Sequence, residues 1–205
     1  MTCSSILRLA RAAAFTLCAF APTAVLADTA GRLTVQGGLD FTLNPFNDFA
    51  AGQTARIGGR LYLTAPSLVT YRLVGSEASF ANVFEFAGRR LSDSVKAGLG
   101  STVQASVAAA AGLLDFGFVI PHPHEAFRFV SNATNDAGRA PGFGVMLQGD
   151  RAARVLLDDF GWLDADYDDM VVEVSVTPIP EPAEWMIMLS GLLLAARAAR
   201  RRSGA

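Results

Sequence analysis

Beyond Cys18 the chain contains no cysteine, and its only two, Cys3 and Cys18, sit close to the N-terminus. No disulfide can staple the remainder, so its stability has to come from burial and hydrogen bonding. Histidine is as scarce, limited to His122 and His124. There is no Gly-x-Ser-x-Gly, no His-Glu-x-x-His and no glycine-rich phosphate loop, which removes the usual sequence basis for a serine hydrolase, a zinc protease or a nucleotide enzyme. A repeat of solenoid length is also missing. Basic residues are in the minority once the two ends are set aside: residues 28–179, about 152 positions, carry eleven Arg or Lys against seventeen Asp or Glu, a formal charge near −6. A surface of that sign lacks the electropositive footprint that nucleic-acid binding needs; it repels anionic membranes and attracts divalent cations.

Two apolar stretches are present, and both are short. The first, residues 12–26, follows Arg8 and Arg11 and runs into Val25, Leu26 and Ala27. This is the layout of a secretory signal peptide over residues 1–27, with cleavage after Ala27. A retained N-terminal membrane helix is the alternative, which Pro22 and the length of the run disfavour. The second stretch, residues 185–196, stands between the triad Pro180-Glu181-Pro182 and four arginines, Arg197, Arg200, Arg201 and Arg202. As a helix it would span about 18 Å, well short of a hydrocarbon core of ~30 Å, so it suits transient insertion with snorkelling arginine stems better than permanent anchorage. Arginines before the first stretch and after the second keep both ends cytoplasmic and send the middle out. An exposed helix closing a soluble domain is the competing reading of the tail.

The triad, the apolar run opening at Trp185 and the arginine cluster together resemble a PEP-CTERM sorting signal, over about the last twenty-five residues. The resemblance implies export by the secretion machinery, recognition of the triad by an exosortase-type membrane protease, removal of the tail and delivery to the cell surface. It further associates the chain with bacteria that make exopolysaccharide and biofilm. The organisation expected is a signal peptide (1–27), a β-domain (28–177) and a sorting tail with a C-terminal hydrophobic helix (178–205).

Within the exported part, β-rich stretches recur at 33–36, 39–43, 60–64, 68–74, 81–86, 113–120, 126–130, 143–147, 154–158 and 170–176, separated by Gly, Pro, Asn and Asp. Short strands at this spacing predict an all-β fold, an antiparallel sandwich of about 8–10 strands, with one face of each strand buried. Leu114, Phe116, Phe118 and Ile120 alternating with Asp115 and Gly117 form the clearest example. Residues 92–111, rich in Ala, Ser, Val and Gly, fit a short helix or a strand equally well.

Asp158, Asp159, Asp164, Asp166, Asp168 and Asp169 fall within twelve positions. Like charges this dense cost free energy unless neutralised, and calcium, a hard cation taking six to eight oxygens, is the natural partner in a secreted compartment. Asp164, Asp166 and Asp168 follow the alternate spacing that opens an EF-hand loop, but Asp169 stands where that loop needs Gly and Ser175 where it needs Glu. Asp164, Asp166, Asp168 and Asp169 are therefore the candidate calcium ligands; a solvated acidic turn that discourages edge pairing is the competing reading. Trp162 and Tyr167 flank the loop and either stack on sugar rings, as in a carbohydrate-binding module, or pack onto the domain rim. His122-Pro123-His124 reads as a metal-binding pair or as a plain turn. Asn132-Ala133-Thr134 matches a glycosylation sequon.

Residues 156–176, LLDDFGWLDADYDDMVVEVSV, resemble the closing segment of many exported proteins of the PEP-CTERM kind and of the DUF4114 domain, in which an acidic loop ends in a pair such as Asp168-Asp169 before a strand such as that starting at Met170. Residues 69–86, with Gly75-Ser76-Glu77-Ala78 and Asn82-Val83-Phe84, are similar to a second segment of the same group. The resemblance implies a class and a location but no reaction. The expectation is a non-enzymatic envelope or extracellular-matrix protein, with a carbohydrate-binding module as the alternative and a glycan-cleaving enzyme as a third reading. In an exposed loop the aspartates would lack the burial that a raised catalytic pKa needs.

Overall fold

Residues 31–78, 80–92, 104–121, 128–139, 141–159, 166–179 and 182–203 are described by the computed structural model. The expected signal peptide, Trp162, Asp164, Pro180, Glu181 and the two histidines lie outside the described residues. The strands are β1 (Leu33–Gln36), β2 (Leu39–Thr42), β3 (Thr54–Ile57), β4 (Arg60–Leu63), β5 (Ser67–Gly75), β6 (Val83–Phe86), β7 (Arg89–Ser92), β8 (Gln104–Ala109), β9 (Gly112–Leu113), β10 (Phe116–Ile120), β11 (Arg128–Ser131), β12 (Gly142–Leu147), β13 (Ala152–Asp158) and β14 (Met170–Pro178), followed by one helix, α1 (Pro182–Ser203). All pairings are antiparallel. They give three sheets in the orders β1-β4-β9, β11-β10-β6-β7 and β2-β3-β12-β13-β14-β5-β8.

The main core joins all three sheets. Leu61 and Leu63 come from the smallest sheet, Phe84, Phe86, Phe116 and Phe118 from the four-stranded one, and Tyr71, Phe143, Val155 and Val172 from the largest. Tyr71 lies 4.3 Å from Phe86 between ring centroids, and Phe84 stacks on Phe116 at 5.3 Å. Tilted and offset aromatic contacts of this kind add to the burial of large rings. Strands β12 to β14 are also covered on their other face, where Leu43, Ala50, Ile57, Met146, Leu156 and Val171 make a second cluster. That cover is the loop between β2 and β3, whose Phe49 ring lies so close over Gly75 that an added Cβ would be 2.3 Å from its Cε1. Burial on both sides explains why Met170-Val171-Val172 reads as a continuous apolar run instead of an alternating one.

Two asparagines in the turn after β11 fasten the sheets to each other. Asn132 donates through Nδ2 to the carbonyls of Leu61 (2.8 Å) and Leu114 (2.9 Å), and its Oδ1 accepts from the Leu61 amide at 2.8 Å. Asn135 does the same between the carbonyls of Gly59 and Phe143, both at 2.9 Å, and the Phe143 amide at 3.1 Å. Asn132 is 0 % exposed, so the sequon presents no side chain to a glycosyl donor in the folded domain.

Fourteen strands among the described residues exceed the 8–10 expected. Every expected stretch has its strand; β3, β7, β8 and β9 are the additions. The β6–β7 hairpin was hidden because its two turn residues, Ala87 (φ 44°) and Gly88 (φ 72°), adopt the left-handed conformation of a tight hairpin turn that usually needs Asn or Gly at both positions. Residues 104–109, where helix and strand stood level, form β8 at the edge of the large sheet. At the other end, α1 starts at Pro182, a residue suited to the first helical position because it has no amide hydrogen to leave unpaired. The expected transmembrane helix is not met: among the described residues no helix is long and apolar enough to cross a membrane, since arginines interrupt the run from position 197 onward.

Replacing Asn132 by Ala leaves one amide and two carbonyls without their partner inside the core. The substitution should lower unfolding free energy by roughly 3–5 kcal/mol, read from urea denaturation, while Asn44→Ala, whose Oδ1 accepts only the exposed Phe46 amide, should cost under about 1 kcal/mol.

Candidate functional site

The aspartate segment is built into the domain instead of projecting from it. Strands β13 and β14 pair with Leu157 opposite Met170, so the residues just beyond that pair, Asp158 and Asp159 on one side and Asp168 and Asp169 on the other, are brought face to face. Asp158, Asp159 and Asp168 are only 3–4 % exposed. This corrects the expectation of a solvated acidic loop. It also corrects the idea that the charge protects a sheet edge, because β14 lies between β13 and β5 in the interior of the seven-stranded sheet.

Neighbouring loops hold the segment by its backbone. The side-chain Nδ2 of Asn47 in the β2–β3 loop donates to the Asp166 carbonyl at 2.6 Å, while its Oδ1 accepts from the backbone amides of Phe49 and Ala50. From the β5–β6 loop, the Ser76 hydroxyl donates to the Asp169 carbonyl at 2.7 Å and the Glu77 amide to the Asp168 carbonyl at 3.2 Å. Ser76, Glu77 and Asn82 belong to the second sequence segment singled out above. The fold thus joins two segments of likeness that are some seventy residues or more apart in the chain.

The side chains divide into two groups. In the first, Asp168 hydrogen-bonds Asp166 and also accepts the Asp48 amide. A contact between two carboxyls needs a proton, and burial, followed by the Asp166 bond and the charges of Asp166 and Glu77, pushes Asp168 up to about 7. In the second, Asp169 Oδ2 accepts the Asp159 amide at 2.7 Å, and Asp159 Oδ2 accepts the Asn82 Nδ2 at 2.7 Å. Burial is the largest cause that raises Asp169 to about 8; the Asp159 amide opposes it, and the charges of Asp159, Asp158 and Asp166 add to it. Asn82 Oδ1 is buried and has no hydrogen-bond partner.

Of the expected calcium ligands, Asp166, Asp168 and Asp169 are thus neighbours, with Asp164 outside the described residues. Among the described residues no three His, Cys, Asp or Glu side chains make a metal-binding group by themselves. Tyr167 has φ 60° and a half-buried ring tilted against Phe41 at 5.8 Å, and its hydroxyl is pushed up to about 12 by burial and by Asp158. The ring is therefore turned to the protein, at the rim of the second core. Sequence reasoning named Asn82 and Asp159 only as members of their segments, not as ligands. Their only signal was position: Asn82 in the second segment of likeness, Asp159 five positions before the first of the spaced aspartates.

Elsewhere, an open groove of about 660 Å³ is lined by Gly37, Gly38, Arg60, Tyr62, Asp136 and Gly138, among others. Comparison of the chain with protein-family models, with curated proteins and with solved structures finds no match to any of them.

The raised carboxyls set the sign of a pH dependence. Asp168 and Asp169 keep protons in the folded state that the unfolded chain gives up near its ordinary 3.8. Their stabilising contribution is complete below that value and is lost as pH rises through about 7 and about 8. In divalent-free buffer the melting temperature should therefore fall between about pH 5 and about pH 9. Asp169→Asn, which keeps an oxygen for the Asp159 amide, should flatten that profile and raise the melting temperature at the alkaline end by roughly 2–4 °C.

Proposed function

We propose that the chain is an exported, non-enzymatic component of the bacterial surface or extracellular matrix, a β-sandwich domain sorted by its PEP-CTERM-like tail. The observation that carries this reading is the tail. The Pro180-Glu181-Pro182 triad leads straight into a helix on which Met186, Ile187, Leu189 and Leu192 to Leu194 are all exposed, with arginines following. A helix closing a soluble domain would bury such a face; an apolar surface left uncovered is suited to a lipid or protein partner. In this reading the secretion machinery and an exosortase-type protease act on the two ends, and exopolysaccharide is the surrounding material. The buried position of Asp158, Asp159 and Asp168 argues against glycan cleavage, because carboxyls 3–4 % exposed offer no surface to a sugar chain.

The groove at Arg60, Tyr62 and Asp136 favours a second reading, a carbohydrate-binding module, since an aromatic ring with flanking charged groups in an open cleft suits a polysaccharide. It would be supported if Tyr62→Ala, still folded, no longer sedimented with exopolysaccharide.

Intact mass of the protein recovered from envelope and medium of its native host tests the first reading. The expected species begins at Asp28 and ends near the triad; a mature species that retains Arg202 would refute tail removal.

A further inference from the structure

Negative charge gathers at one end of the large sheet, where β13 ends and β14 begins. Acidic crowding alone identifies no ligand, but here it coincides with an independent feature. The Asn82 carboxamide, 3 % exposed, points its Nδ2 at Asp159 Oδ2 and leaves Oδ1 inside the protein with no donor to bind. A buried acceptor without a partner costs about 1–3 kcal/mol. A folded domain keeps such a group when something absent from the protein atoms completes it. A cation would satisfy this carbonyl oxygen and neutralise the neighbouring carboxylates at the same time.

We propose that Asp159, Asp169 and Asn82 form a calcium-binding site. The three residues come from different elements: the end of β13, the residue before β14 and the loop before β6. Two of them are already in direct contact, and the Asp159 amide on Asp169 Oδ2 ties the third to them. Every donor is oxygen, which suits a hard cation, and the arrangement lacks the thiolate or imidazole that zinc or copper would favour. Two carboxylates and one carboxamide from this set leave the rest of a six- to eight-oxygen shell to water, so the affinity belongs to the weaker, extracellular range of calcium sites. Asp158 adds charge beside the site without being needed as a ligand. The site differs from the set Asp164, Asp166, Asp168 and Asp169 expected from sequence. Asp168 is turned to Asp166 and the Asp48 amide, and only Asp169 is common to both. The inference is independent of how the protein is sorted.

The test uses the full chain, stripped of divalent ions and titrated with calcium chloride by calorimetry, with thermal melting in chelator and in millimolar calcium. The expected result is one ion per chain and a higher melting temperature in calcium, by mass action on the folded state. Asp159→Asn should abolish the calcium-induced shift without lowering the melting temperature in chelator, because it removes a buried charge. Asn82→Ala should weaken binding by about tenfold or more, and Asp150→Asn, an exposed carboxylate paired with Arg32 at 3.5 Å, should leave it unchanged. No heat and no shift with the unsubstituted chain would overturn the proposal. So would a calcium shift that survives in Asp159→Asn, or equal weakening by Asp150→Asn. If Asn82→Ala does not fold, the Asp159→Asn comparison decides alone.

Discussion

Negative charge held inside the protein, at the junction of β13 and β14, is the constraint to which one whole end of the domain answers. Hydrophobic burial draws β13 and β14 into the middle of the large sheet, with apolar side chains covered on both faces. The aspartates that flank those strands are pulled in with them. A buried carboxylate has to be neutralised or hydrogen-bonded, and the surrounding loops supply donors accordingly: the Asp48 amide to Asp168, the Asp159 amide to Asp169 and the Asn82 carboxamide to Asp159. The loops are fixed in turn, since the β2–β3 loop both grips Asp166 through Asn47 and closes the second core with Phe49. Packing and electrostatics at this end form one problem with one solution.

The contacts that join the sheets solve a different problem with neutral groups. Asn132 and Asn135 join the sheets through six hydrogen bonds, none of which involves a charge. These contacts carry no charge and do not titrate, whereas Asp168 and Asp169 do. On α1 the apolar side chains from Met186 to Leu194 stay uncovered.

The strands were legible in the sequence wherever side chains alternate or run apolar. Thus β1, β2 and β14 start where pattern alone puts them, while the expected stretch 113–120 divides into β9 and β10, the latter starting at Phe116. Strands were missed where the signal was carried by backbone conformation or by a partner: β7 depends on a left-handed alanine, and β8 is a run of small residues that becomes a strand by pairing with β5. The site was legible in composition and misread in environment. Six aspartates within twelve positions look exposed on any hydropathy argument, and only the pairing of Leu157 with Met170 shows why Asp158, Asp159 and Asp168 are drawn inward. Asn82 had no signal of its own, because its importance comes from an oxygen left without a partner.

The central claim is that these carboxyls are inside the folded domain and depend on neutralisation. It is tested most directly by carbon-13 NMR of the side-chain carboxyls of Asp168 and Asp169 during a pH titration without divalent ions. The account predicts that both titrate far above the ordinary 3.8, toward about 7 and about 8. Titration of both near the ordinary value would mean that the carboxyls are solvated, and the account of this end of the domain would be contradicted.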